Sequence, residues 1–371
     1  MRKLIHHFIF LTFLMFSTAA CANNVSEGLN SLSDAENGKN EVPGAENTEP
    51  KPGDLEICST LDFAGVSWPS HYQFEDQRAF ALALNITGSF EGHSGWTNLS
   101  NNFDGQGFSM GILNQNLGQG SIQPLLLHIR DHSPHVFEQA MTQEMMTSFL
   151  GMLTEWEASA PTATLAPLSR VDEDVEKGIV DELVLRNVLG ETVDKRYYPL
   201  VVRLEPHNQK SVNWAKANLY TSSSGKDFKP EWKDALKAIA GSPEYVTLQI
   251  EAAQYLHERS HDYRQRLGWN EIRAYLFLFD IATQNGTLQE KHFDQFDAWL
   301  AKNPNATEEQ QMLKMLEIRV KDSNAKWRDD VRKRKTAIIK GTGFVHGEDR
   351  NLPLEYCYDP LESYPGNTPT P

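Results

Sequence analysis

Glu91, Asp104 and Ser109 are the residues whose types and spacing could do chemistry. Glu91 sits in Ser89-Phe90-Glu91-Gly92. Asp104 opens Asp104-Gly105-Gln106-Gly107-Phe108-Ser109-Met110-Gly111-Ile112. Cleavage of a glycosidic bond needs two carboxyl groups flanking it, one protonated and one ionised. Phe80, Leu84, Thr87 and Glu91 recur at helical spacing, which puts Glu91 at a helix end in line with the buried stripe. Such an acid is expected to be partly desolvated among apolar neighbours, which raises its pKa and suits a general acid. Asp104, in a polar Gly-rich hairpin, is expected to stay solvated and ionised as the base, with glycines that let a sugar ring approach closely. The Ser109 hydroxyl is placed to hold an attacking water. A helix-end charge and an Asp-Gly turn are the plainer alternatives.

The elements that must position these groups follow from periodicity. A helix is expected over 73–91, turns and a short hairpin over 92–107, and helix again over 121–153, with Pro124 near a helix start. Residues 172–220 are the least regular part, with a strand-like run at 197–204, and read as an insertion or cap around 165–225. Helices are expected over 243–267, 270–284, 288–302 and 307–335. The result is a mainly α fold (α+β) with a small β element in its first third. The Gly-rich stretch 341–347 lacks the Gly-Lys-Ser/Thr of a P-loop and reads as a turn, and Arg328 to Lys340 reads as a solvated helix face.

The chain has 371 residues, 40% of them hydrophobic, enough for a substantial core. Its net charge of -15 disfavours nucleic acid as a partner, because phosphate binding needs a basic footprint. Residues 57–371 alone keep about -11, which allows a polycationic partner. Residues 1–20 read as a signal peptide: Arg2 and Lys3, an apolar run, then Ser17, Thr18, Ala19 and Ala20. Ala19-Ala20-Cys21 resembles a bacterial lipobox, with Thr18 where that motif prefers Leu. Lipidation at Cys21 and ordinary cleavage nearby both stay open. Residues 21–56, without an aromatic, read as a disordered tether, and the folded part is expected from 57. The reading is therefore of an exported protein, a periplasmic or outer-membrane lipoprotein or else secreted, touching a membrane only through an N-terminal lipid. Cys58 and Cys357 are expected to form one disulfide in an oxidising compartment, with two buried thiols as the alternative.

The stretch from Glu91 to Ile112 resembles the active-site region of the glycoside hydrolase family 46 chitosanases, in the lysozyme-like superfamily. There a Glu closes the first long helix and Asp-Gly-x-Gly-aromatic-Thr-x-Gly-Ile follows. Here Ser109 replaces the Thr. The resemblance implies a two-lobed lysozyme-like helical domain, Glu91 as acid, Asp104 as base, Ser109 as the residue that orients water, and inversion at the anomeric carbon. Further similarity runs along Gln249 to Gly286, with the Phe279-Asp280 pair. The family's later Gly-x-Gly-Asp, whose Asp grips a glucosamine ammonium, reads Gly118-Gln119-Gly120-Ser121 here. Asn114, Gln115, Asn116 and Gln119 line the same stretch with amides, suited to N-acetyl groups and hydroxyls. Trp96 is the candidate platform for a sugar ring, ahead of Trp68 and Trp156.

The expected function is hydrolysis of a β-1,4-linked amino-sugar polymer by a monomeric enzyme that needs no cofactor. The alternatives are a peptidoglycan-cleaving hydrolase of the cell envelope and a non-catalytic glycan-binding lipoprotein. His257-Glu258-Arg259-Ser260-His261 matches the zinc-protease pattern on a helix, but no third ligand follows at a usual offset and no metal is assigned to it. His128, His132 and His135 are read as surface or capping residues.

Overall fold

The computed structural model describes residues 55–364, apart from 65, 160–204, 223, 286–287 and 324. The expected leader, Cys21, all but the last two residues of the expected tether and the strand-like run at 197–204 lie outside the described residues, as does most of the expected insertion. Among the described residues the fold is mainly helical, with two small antiparallel sheets. None of these helices is long and apolar enough to cross a membrane.

The first helix, α1 (Phe74–Glu91), opens on Glu75 and Asp76, where acids complement the helix dipole. From Ala79 to Gly88 every residue is buried, so α1 is a central helix and not the one-sided helix its stripe suggests. It packs against α8 (Ile272–Asn285), which is equally buried from Ala274 to Ile281. Between them in sequence come β1 (Leu99–Ser100), β2 (Ser109–Met110) and β3 (Gln115–Asn116), a three-stranded sheet with β2 in the middle. Leu99 pairs with Met110 and Ser100 with Ser109, and β3 returns along β2.

The expected helix over 121–153 is three helices: α2 (Gln123–His132), α3 (His135–Ala140) and α4 (Gln143–Ser159). Pro134 cannot donate an amide to continue α2, and its ring disfavours helix at Ser133. Then follow α5 (Glu205–Asn218), α6 (Pro230–Ala240) and α7 (Pro243–Leu267). Ser242 caps α7 by accepting from the Tyr245 amide at 3.2 Å, Pro243 takes its first turn, and Gly268 ends it in the left-handed region at φ 68°. After α8 come α9 (Glu290–Leu300), α10 (Glu308–Lys321) and α11 (Arg328–Lys340). The last two replace one expected helix over 307–335. The break follows Asp322, and the Arg328 guanidinium donates to the carbonyls of Lys321 (2.7 Å) and Ser323 (3.0 Å) at the end of α10. The expected turn at 341–347 is a hairpin, β4 (Thr342–Val345) with β5 (Glu348–Asn351), turning on His346 and Gly347, both at positive φ. The short α12 (Leu352–Tyr356) follows.

Two hydrophobic clusters result. One gathers α1, α8, the last helices and β4; the other gathers the three-stranded sheet with α2 to α6. Helix α7, about 37 Å long at 1.5 Å per residue, serves both: Tyr245 and Leu248 enter the second cluster, and Ile250, Ala253 and Leu256 the first. Cys58 and Cys357 form a disulfide with Cα atoms 5.1 Å apart, and the Cys58 amide donates to the Tyr356 carbonyl at 3.2 Å. It fastens the start of the fold to α12, beside the first cluster.

Candidate active site

Glu91 is the last residue of α1, and the chain must leave at once for β1. Gly92 makes that exit possible through space: a Cβ there would lie 2.1 Å from the Asn98 side-chain oxygen. The Asn98 Nδ2 donates to the Glu91 carbonyl at 3.2 Å and to Asn114 Oδ1 at 2.9 Å. Asn114, in the left-handed region at φ 51°, a conformation Asn tolerates, sends its own Nδ2 to Glu91 Oε2 at 3.2 Å. The backbone is tied as well, since the Gly111 amide donates to the Asn98 carbonyl at 2.9 Å. Glu91 therefore sits at the end of the sheet formed by the β2–β3 turn.

The surroundings of its carboxylate correct the expectation of apolar neighbours. Arg334 of α11 reaches Glu91 Oε1 with Nη1 at 2.6 Å, with side-chain exposures of 0% and 8%. The same guanidinium donates from Nε to Asp280 Oδ1 at 2.7 Å, and Lys335 Nζ lies 2.8 Å from Asp280 Oδ2. From Lys335 the chain of bonds continues to Gln284 Oε1 (2.7 Å), from Gln284 to Asp330 Oδ2 (3.2 Å), and between Asp330 Oδ1 and His346 Nε2 (2.8 Å). Burial pushes the Asp280 carboxyl up, but Arg334 and Lys335 outweigh it and hold that group below the usual carboxylate range. Burial pushes the Lys335 ammonium down to about 8. Arg328 to Lys340 is thus not simply a solvated face: Arg334 and Lys335 point into the protein and are fully buried. Sequence reading missed both. The one available signal was Phe279-Asp280, an acid within the otherwise apolar run Ala274 to Ala282 that needs a cationic partner.

Asp104 stands at the opposite end of the sheet. Residues Asn102–Asp104 form a single 3₁₀ turn between β1 and β2, closed by Gly105 at φ 84°. Asp104 Oδ1 accepts from the Gln106 amide at 3.0 Å. Asn102 Oδ1 accepts from the Gly107 amide at 2.7 Å. Against expectation, burial pushes the Asp104 carboxyl up from its ordinary value, partly offset by the Gln106 amide. The environments foreseen for the two acids are therefore exchanged: the carboxyl raised by burial is Asp104, and the one held by ions and amides is Glu91. Ser109 lies on the central strand. Its neighbours Phe108 and Met110 enter the second cluster, so by alternation Ser109 faces the other side of the sheet. The four residues Asn98 to Asn101, three steps of extended chain, span about 10 Å between the two ends.

The amides and aromatics are placed differently from their expected substrate contacts. Trp96 is 8% exposed and part of the first cluster, its Nε1 donating to the Asp62 carbonyl at 2.9 Å. Trp156 is buried with Nε1 on Asn208 Oδ1 at 2.8 Å, and Trp68 stacks on Phe63. Asn114 holds Glu91. Gln119 is exposed, and its Oε1 accepts from Asn116 Nδ2 at 3.0 Å. Gln115 Oε1 is buried beside Gly111. His257 of the H-E-x-x-H pattern is buried between Tyr72 and Phe80, with Nδ1 2.7 Å from the Tyr275 hydroxyl, and burial lowers its pKa to about 3. His135 meets Glu244 at 2.9 Å, and His128 and His132 stack on each other. Among the described residues no group of three or more His, Cys, Asp or Glu could hold a metal ion.

The arrangement can do acid–base chemistry on a group lying along the sheet, with one carboxyl near each end. No protein-family model matches the chain, and neither a curated protein nor a solved structure does.

Proposed function

We propose that the protein is an exported glycoside hydrolase acting on a β-1,4-linked amino-sugar polymer by inversion, with the lysozyme-like, two-lobed architecture that its motif resemblance implies. The observation that carries this reading is the pair of carboxyls at the two ends of one small sheet. Inverting enzymes separate theirs by roughly 6.5–9.5 Å, to fit a sugar and a water between them. Glu91 gives its proton to the leaving oxygen. Asp104 takes a proton from the water, which Ser109 helps to orient. A base whose pKa is raised toward the working pH accepts that proton better than an ordinary aspartate, so the burial of Asp104 favours its role. On the other side, Glu91 is held by Arg334, which also binds Asp280 beside Lys335, so its carboxyl is fixed in orientation at the helix end. The polymer is the partner, and the leader implies that it is met outside the cytoplasm.

Chitosan is the first substrate to test and peptidoglycan the second. Ser121 favours the second: it occupies the place of the family's ammonium-gripping acid, and its Oγ is turned back on the Asn116 amide at 2.9 Å. Purified full-length protein should release product from one of the two polymers, and Glu91→Gln should abolish it. Product from neither polymer, or an undiminished rate in the variant, rejects the mechanism and leaves glycan binding without catalysis as the reading to pursue.

A further inference from the structure

The turn that carries Asp104 is clamped by a second piece of chain, distant in sequence and outside the recognised motif. Residues 219–222 and 224–229 form a strap. The Lys229 amide donates to the Leu219 carbonyl at 2.9 Å, Tyr220 and Phe228 form a β-bridge with their rings 4.7 Å apart, and the Thr221 amide donates to the Asp227 carbonyl at 2.9 Å. The tip of the strap lies on the turn. The Asn102 amide donates to the Gly225 carbonyl at 3.1 Å, and Asn101 Nδ2 donates to the Lys226 carbonyl at 2.5 Å. At the far side of the turn the Tyr220 hydroxyl donates to the Gly107 carbonyl. These contacts bracket residues 101–107, with Asp104 in the middle.

We propose that the strap is the positioning device for Asp104, with Gly225 and Tyr220 as its positioning residues: it fixes the turn and shields the carboxyl from water. The proposal rests on the reading of Asp104 as the base, but its central test does not. Gly225 is suited to its place on two counts. Its φ of 70° is left-handed, and a Cβ there would lie 2.8 Å from the Asn102 Cβ. Any larger residue must lift the tip away. Among the described residues no charged side chain is a cause of the shift at the Asp104 carboxyl. The Tyr220 phenol is raised by burial and further by the Asp104 charge. The ions of the strap itself, Lys226 and Asp227, are exposed. Shielding by the strap is thus the main means by which this part of the chain acts on the carboxyl.

The test is a carbon-13 NMR titration of the Asp104 carboxyl in the full chain, with the resonance assigned by its loss in Asp104→Asn. Gly225→Val lifts the tip and rehydrates the carboxyl, so the titration midpoint moves to lower pH, by about half a unit or more. Tyr220→Phe keeps the ring and removes only the bond to Gly107, and moves the midpoint less, in the same direction. In polymer hydrolysis the same variants lower kcat by about 10-fold, with KM changed less than about 2-fold. An unchanged midpoint in folded Gly225→Val overturns the proposal. If that variant does not fold, an unchanged midpoint in Tyr220→Phe overturns it. Wild-type protein that cleaves neither polymer, together with variants that show the shifts, refutes the hydrolase reading and leaves the strap in its role.

Discussion

The two ends of the small sheet hold their acids by different physics. Glu91 is fixed by ions that arrive from far along the chain: Arg334 is 243 residues away, and behind it stand Asp280 and Lys335, all three without exposed side-chain surface. Asp104 is fixed by backbone amides of its own turn and by packing, with no cation bonded to it among the described residues. The first arrangement presets orientation, because a guanidinium fork admits few geometries. The second leaves charge to be set by how much water reaches the carboxyl. A reaction that needs one acid and one base can use this asymmetry, and it makes the two ends separable by experiment.

The largest effects are those on catalysis. Glu91→Gln keeps the amide bonds around the helix end but cannot give up a proton. Hydrolysis should fall by about 10²–10⁴-fold. Asp104→Asn should lower it by a similar factor, with little change in KM. Loss in one variant only, measured on the same polymer, would break the two-carboxylate comparison. Next in size is the effect of Arg334→Met on stability. It leaves Asp280 with Lys335 alone and removes the cation from Glu91, and breaking a buried pair in this way costs about 3–5 kcal/mol. Urea denaturation measures it. Arg334→Lys should recover little of the loss, since a single ammonium cannot meet Glu91 Oε1 and Asp280 Oδ1 as the fork does. A loss below 1 kcal/mol would mean that the ionic end is no more rigidly held than the other.

The same contrast explains what could be read from residues alone. The Asp104 end was legible because its determinants are local. Gly105 and Gly107 both adopt positive φ, and the Asp-Gly-x-Gly run announces a turn before any folding is considered. The helix ending at Glu91 was legible from its 4-3-4 spacing, and the disulfide from having only two cysteines left once Cys21 is set aside with its lipobox-like motif. The partners of Glu91 were not legible. In sequence Arg334 and Lys335 stand in a run of cations that looks like any solvated helix surface, and only the arrival of α8 beneath it shows that these two face inward. Trp96 misled for a related reason: a tryptophan between two acids suits a sugar platform equally well, and burial is decided by the Asp62 carbonyl and the cluster around it. The exchange of environments between the two acids follows from the same blindness. The strap proposed to shield Asp104 lies more than a hundred residues away in sequence.

A smaller effect tests the link between helix end and sheet. Gly92→Ala puts a methyl into the Asn98 side chain, which in turn holds the Glu91 carbonyl and Asn114. Because φ at residue 92 is 165°, ordinary extended backbone, the effect is steric alone. Such overpacking costs about 1–3 kcal/mol. Hydrolysis should fall while the Asp104 titration is unchanged. A shift at Asp104 would show that the two ends are coupled through the sheet.

The last difference is one of sign, in the pH dependence of stability. The Asp280 carboxyl is lower in the folded protein than in the unfolded chain, so its contribution is fully present above the unfolded value of about 3.9 and is lost as pH falls through the folded one. Asp104 runs the other way. Its folded value is raised, so between the unfolded and folded values the native state binds more protons, and stability declines as pH rises through that window. Asp280→Asn should therefore destabilise at neutral pH, with the deficit shrinking as the solution is made more acid than about pH 4. Asp104→Asn should stabilise slightly at neutral pH, and the gain should vanish on acidification. Denaturation midpoints of the two variants from pH 3 to 7, each referred to wild type, give two curves of opposite slope. Parallel curves would mean that Asp104 is as well paired as Asp280, and that its burial does not prepare it to take up a proton.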